Sequence, residues 1–155
     1  MEQTETRSEL ACFERDLAYA KDLVETWSVG RVQSILEPIL ETTKHETQPE
    51  ILYLRLQALM TMGKTLILFG LLTPPEKEPC FRRARSFYKA AERTLSHLSD
   101  LPVEERERFD LDHSPEASIL FIDLELRKDS QTGQPQQRLS QKAGIQFQAK
   151  NNVFA

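Results

Sequence analysis

The run from Ile51 to Gly70 is apolar around almost its whole circumference, and this one feature narrows the architectures open to the chain more than any other. Ile51, Leu52, Leu54, Leu56, Ala58, Leu59, Met60, Met62, Leu66, Ile67, Leu68 and Phe69 fall on nearly every side of a helix. Such a helix must be covered from several directions, so it predicts a central element with others laid against it. Thr47-Gln48-Pro49-Glu50 marks its start, with Thr47 as the cap, a proline in the first turn and a glutamate three places on. Lys64 and Thr65 interrupt the run. The longest unbroken apolar stretch, Leu66 to Leu72, holds seven residues, against the roughly 20 that a bilayer span needs. No membrane segment is expected.

The flanking segments read as the cover. Leu10, Phe13, Leu17, Ala20, Val24 and Trp27 recur every three or four residues and predict a first helix over Glu9–Trp27, with Gly30 as its stop. Val32, Ile35, Leu36, Ile39 and Leu40 predict a second. Pro38 lies inside it, and Ser34 with Glu37 forms a capping-box pattern, so either the helix begins near Ser34 or it carries an interior proline. Leu71 to Pro79 has three prolines and reads as a loop. From Pro79 or Cys80 to Leu98, Phe81, Ala84, Phe87, Tyr88, Ala91, Leu95 and Leu98 share one helical face. Val103 to Phe109 fits a short polar helix. The stretch Ile119–Leu126 suits helix or strand by periodicity, and Ser114-Pro115-Glu116 before it favours a helix through Arg127.

From Lys128 the composition changes. Seven glutamines accompany few apolar residues, and the segment reads as a polar, flexible tail over 128–155, with residues 1–8 as a flexible N-terminus and 9–127 as the helical domain. Gly144-Ile145-Gln146-Phe147-Gln148 alternates and reads as a fraying end, or as an edge strand added to a partner.

Chemistry is scarce in this sequence. A net charge of −4 argues against sequence-independent nucleic-acid binding. The opening Met1-Glu2-Gln3-Thr4-Glu5-Thr6-Arg7 has no basic then apolar character, so no signal peptide is expected. Cys12 and Cys80 are the two cysteines, far apart, and fit a reducing, intracellular setting, cytoplasmic or nuclear. His45, His97 and His113 lack zinc spacings, and Asp110-Leu111-Asp112-His113 reads as an inter-helix loop. No nucleophile stands in a recognisable motif. The expectation is no enzyme, no cofactor and no metal.

Internal repeats are the next question for a chain of helices. Leu59-x2-Met62-Gly63-x2-Leu66 followed by Phe81-x2-Ala84-x3-Tyr88-x2-Ala91, with Pro102 later, resembles the tetratricopeptide (TPR) pattern of paired antiparallel helices. Tyr19-x2-Asp22-Leu23-x2-Thr26 and Val32-x2-Ile35-x3-Ile39 form a weaker upstream copy. About nine extra residues, mostly Leu71 to Cys80, depart from the pattern in the downstream copy. Gly63 and Ala84 would let the helices approach, with Tyr88 and Leu66 filling the space beside them. The alternative is a generic antiparallel bundle.

The resemblance implies a protein-binding scaffold whose groove is lined by the first helix of each pair. Its groove-facing positions here are Val24, Trp27, Gln57, Met60, Lys64 and Ile67. Of the family's carboxylate-clamping lysine, asparagine and arginine only Lys64 has a counterpart, which argues against a chaperone-tail ligand. If the repeat stands alone, these residues are core instead. Separately, Arg82, Arg85, Lys89 and Arg93 form a basic stripe, which is either a solvated face or a dock for an acidic partner.

One decoy competes. Ala58-x4-Gly63-Lys64-Thr65, with Ile119-Leu120-Phe121-Ile122-Asp123 downstream, matches a relaxed phosphate-loop pattern. The residues between Ala58 and Gly63 lack glycine and favour helix, and no room follows Thr65 for the usual helix. The reading reached is an all-α protein of antiparallel hairpins acting as a non-enzymatic adaptor or complex subunit for another protein or peptide. A helical-bundle oligomer subunit or small-ligand binder is the alternative, and a nucleotide-binding protein the remote one.

Overall fold

The computed structural model describes the backbone of residues 2–26 and 28–143, and the side chains of residues 9–26 and 28–130. Every regular element among the described residues is helical. In chain order they are α1 (Glu2–Val24), α2 (Val29–Thr42), α3 (Pro49–Leu72), a 3₁₀ turn (Pro74–Glu76), α4 (Lys77–Ser99), α5 (Val103–Arg106) and α6 (Pro115–Ala143). The all-α class read from the sequence is what the chain adopts. It forms two compact units, residues 1–119 and 120–155. The first holds α1 to α5 and the start of α6; the described part of the second is the remainder of that helix.

In the first unit α3 is the centre. Leu54, Leu56, Ala58, Leu59, Met62 and Leu66 are each no more than 2% exposed, and each large side chain so buried is worth roughly 1.5–3 kcal/mol. Burial also takes in Thr61 and Thr65, whose hydroxyls donate to the carbonyls one turn back, Gln57 O at 2.7 Å and Thr61 O at 2.8 Å. α3 is long and apolar enough to cross a membrane, but 56% of its most apolar window is buried inside this fold, as in the core helix of a globular protein.

α4 is the main cover. Gly70 abuts Phe81 and Cys80, Gly63 abuts Tyr88, and Leu52 and Leu56 share a core cluster with Leu98. Facing residues therefore descend along α3 as they ascend along α4, and the two helices run antiparallel. Gly63 makes the crossing close: a Cβ there would lie 2.6 Å from two carbons of the Tyr88 ring. Helices α1 and α2 pack on each other and on α3, contributing Leu17, Ala20, Leu23, Val24, Val32, Leu36 and Ile39 to the core.

Several boundaries differ from the sequence reading. α1 begins at Glu2 rather than Glu9 and ends at Val24, where Thr26 donates its amide (3.0 Å) and hydroxyl (2.7 Å) to Leu23 O. Gly30 does not stop α1; it lies in the first turn of α2. Pro38 is interior to α2, which decides between the two openings that the sequence allowed. Its exposed ring leaves Ser34 O without a helical partner, while Ser34 itself bonds back to Gly30 O at 2.8 Å. The buried Val32, Leu36 and Ile39 hold the helix together across the proline.

The cap of α3 is Gln48, not Thr47, with Pro49 as the first helical residue. α4 starts at Lys77, so Pro79 falls in its first turn, where no amide donor is needed. Ser114 precedes Pro115 and accepts the Ala117 amide at 3.4 Å, the entry geometry that the Ser-Pro-Glu signal predicts. α6 runs on past Arg127 to Ala143. The alternating 144–148 segment lies outside the described residues.

Two contacts brace the ends of α2 and α3. The half-buried Arg55 guanidinium donates to Leu40 O (2.7 Å), one of the last carbonyls of α2, and to the Thr43 hydroxyl oxygen (3.3 Å). Burial and then the nearby Arg93 charge push the Arg55 pKa down, while Glu41 opposes them. At the start of α3, Glu50 pairs with Arg108, and Tyr53 meets Phe109 with ring centroids 5.0 Å apart. The Glu50 backbone amide and then Arg108 hold that carboxyl below its usual range.

Candidate functional site

A valley runs between α1 and α3 in the first unit. It is lined by Lys21 and Val24 of α1 with Glu25 just past its end, and on α3 by Gln57, Met60, Thr61 and Lys64, which share one face of the helix by the three-and-four spacing. Tyr88 of α4 and, from further along the chain, His113 and Ser118 close the third side, enclosing about 530 Å³. Lys21 Nζ donates to Gln57 Oε1 at 2.7 Å and ties the two helices together. Beyond this tie the valley continues as a smaller hollow of about 250 Å³ bordered by Glu14, Leu17, Ala18, Glu50, Tyr53 and Leu54.

The floor owes its shape to Gly63. Because no Cβ stands there, the Tyr88 ring packs against α3 with its hydroxyl bonded to Ser118. Burial pushes the Tyr88 phenol pKa up and the serine bond partly offsets this, so at neutral pH the hydroxyl stays protonated. The cavity is amphipathic, with Val24 and Met60 as its apolar part and Lys21, Lys64, Glu25 and His113 around them.

Four of the six groove positions named from the sequence, Val24, Gln57, Met60 and Lys64, line this one cavity. Val24 is buried, Gln57 and Met60 are half-buried, and Lys64 is exposed. Ile67 is half-buried and lies outside the lining; Trp27 lies outside the described residues. Lys21, Glu25, Thr61, Tyr88, His113 and Ser118 were not among the groove positions. Lys21 and Glu25 flank Val24 at helical spacing and were findable on that ground. Tyr88 was read as filling between helices, which it also is. His113 and Ser118 arrive from a loop and a helix start with no periodic signal.

The basic stripe is partly neutralised on its own helix. Arg82 pairs with Glu78 at 2.8 Å and Lys89 with Glu92 at 3.3 Å. Arg85 is half-buried, and Arg93 is exposed near Arg55.

The phosphate-loop pattern has no loop. Gly63, Lys64 and Thr65 sit in mid-helix, with Thr65 buried and its hydroxyl spent on Thr61 O, so no ring of free amides surrounds Lys64. The strand that a nucleotide site would need at Ile119–Asp123 is absent, and these residues belong to the helix α6 that the Ser-Pro-Glu entry favoured. Among the described residues no three His, Cys, Asp or Glu side chains gather as metal ligands. Asp110 accepts the Asp112 amide at 3.1 Å in a local turn. No family model, no curated protein and no solved structure matches this chain, and what it does must be argued from its geometry.

Proposed function

We propose that the chain is a non-enzymatic adaptor or complex subunit that holds a segment of another protein in a TPR-like valley between α1 and α3. The observation that carries this reading is the lining: Lys21 and Val24 of α1, Glu25 just past its end, and Gln57, Met60, Thr61 and Lys64 of α3 face a single open cavity. An open, mixed polar and apolar trough between helices suits a peptide, whose backbone needs hydrogen-bond partners and whose side chains need apolar seats. Lys21 and Lys64 at the valley favour an acidic segment on a chain that is itself negative, whereas the basic stripe, with Arg82 and Lys89 paired on their own helix, adds little to it. The free thiols Cys12 and Cys80 support an intracellular setting.

A second reading, a subunit of a homo-oligomer, is favoured by Leu120 and Leu124, one turn apart on α6 and at least half exposed. Affinity capture with mass spectrometry, run alongside light scattering, separates the two. The adaptor reading expects a stoichiometric protein that is retained by the natural chain and lost with Gln57→Ala/Lys64→Glu. A dimer with no other protein, or a copurifying small molecule, overturns it.

A further inference from the structure

A second groove lies away from the α1–α3 valley, over the opposite side of α3. Three helical stripes line it: Gln33, Glu37 and Leu40 on α2, Arg55, Leu59 and Met62 on α3, and Arg83, Phe87 and Ala90 on α4. Each stripe follows the three-and-four spacing of a helix ridge, and Lys44 stands just past the end of the first. The space between them is about 810 Å³. From Gln33 to Lys44 the groove is roughly 17 Å long at the helical rise, or about three turns. Parallel ridges on neighbouring helices are what a further helix packs into.

The charge around this groove is not balanced from within. Lys44, Arg55 and Arg83 line it with two carboxylates, Glu37 and Glu41, and Glu37 already accepts a hydrogen bond from the Gln33 amide at 3.1 Å. Arg55 spends both its bonds on neutral oxygens, Leu40 O and Thr43 Oγ1. Among the described residues no ion pair engages Lys44, Arg83 or Arg93, in contrast to Arg82 and Lys89. On a chain of net charge −4 this is a local positive face beside half-buried Leu40 and Phe87.

We propose that the α2–α4 groove is a docking site for an acidic amphipathic helix of a partner protein. Apolar side chains at i, i+4 and i+7 would seat over the half-buried Leu40, Phe87 and Ala90, above a floor closed by Leu59 and Met62, and flanking Asp or Glu side chains would meet Lys44, Arg83 and Arg93. This site is distinct from the α1–α3 valley and does not depend on it.

A displayed library of 15-residue helical peptides, selected on the full chain, tests the proposal. Expected are enriched sequences with Leu, Phe or Met at helical spacing and Asp or Glu beside them. Their binding should weaken about tenfold or more with Lys44→Glu/Arg83→Glu, less with Lys44→Ala/Arg83→Ala, and fall as salt rises. Both positions are exposed, and the graded neutral variant, checked by thermal melting, separates lost binding from lost fold. Lys64→Glu should leave these peptides bound. The proposal is overturned by no enrichment, by basic or uncharged winners, or by binding indifferent to Lys44 and Arg83. Peptides lost with Lys64→Glu alone would belong to the α1–α3 valley and count against this groove. Self-association that Lys44→Glu/Arg83→Glu abolishes would put a second copy in the groove and also overturn it.

Discussion

Two glycines in helices have opposite tasks, and single substitutions should separate them. A Cβ on Gly63 meets the Tyr88 ring at 2.6 Å, and that ring is 3% exposed, so it cannot swing away freely. Overpacking of this kind costs typically 1–3 kcal/mol, and the better helix propensity of alanine returns about 1. Gly63→Ala should therefore destabilise the first unit, by up to about 2 kcal/mol. Gly30 has nothing within 4 Å of its Cβ position, so Gly30→Ala should stabilise by about 0.5 kcal/mol through the lost freedom of the unfolded chain. Urea unfolding midpoints at unchanged slope measure both. Equal effects would mean that the Gly63–Tyr88 contact does not limit packing. Gly63 was legible as a small residue at a helix crossing. Gly30 was not, because a glycine in a first turn has the same local signature as one past a helix end.

At the scale of elements, the ends of α2 rest on a neighbour. One of its last carbonyls, Leu40 O, is met by Arg55 from α3, not by a glycine cap. Arg55→Ala leaves Leu40 O facing the open α2–α4 groove, where water reaches it, so the expected cost is about 1–2 kcal/mol. Denaturation compared with Arg83→Ala, an exposed control on the same groove, checks this; equal stability of the two variants would remove Arg55 as a brace. The interior proline of α2 shows what local rules omit. Pro38 loses one helical bond, yet Val32, Leu36 and Ile39 are fully buried, and their packing outweighs it. The all-round apolarity of α3 and the single apolar face of α4 were readable because burial imposes periodicity. Val24, Gln57, Met60 and Lys64 of the valley were named through the resemblance to paired-helix repeats and not through burial. His113 and Ser118 were not, since a loop residue brought near by the course of the chain leaves no pattern behind.

For the first unit as a whole, acidity should loosen the join between α3 and the turn after α5. Glu50 has a lowered carboxyl pKa in the fold, so its contribution is present above its unfolded value and lost as pH falls through the folded one. The side chain is 43% exposed, so solvent screening keeps the contribution below about 1 kcal/mol. Glu50→Gln should flatten the stability profile between about pH 5 and pH 3, and the difference from the natural chain should shrink in 1 M salt. Unfolding followed at a series of pH values decides it; an unchanged slope would show that neither the Glu50 backbone amide nor Arg108 holds the carboxylate more firmly in the fold than in the unfolded chain.

The centrality of α3 also has a consequence for synthesis. Translation delivers residues 49–72 before residues 77–99 exist to shelter them. During that interval the ribosome carries a greasy segment long enough for a bilayer, and a message broken there leaves it permanently bare. Such fragments would be natural clients for chaperones or for the membrane-targeting machinery, whereas the finished chain hides the same residues beneath its fourth helix.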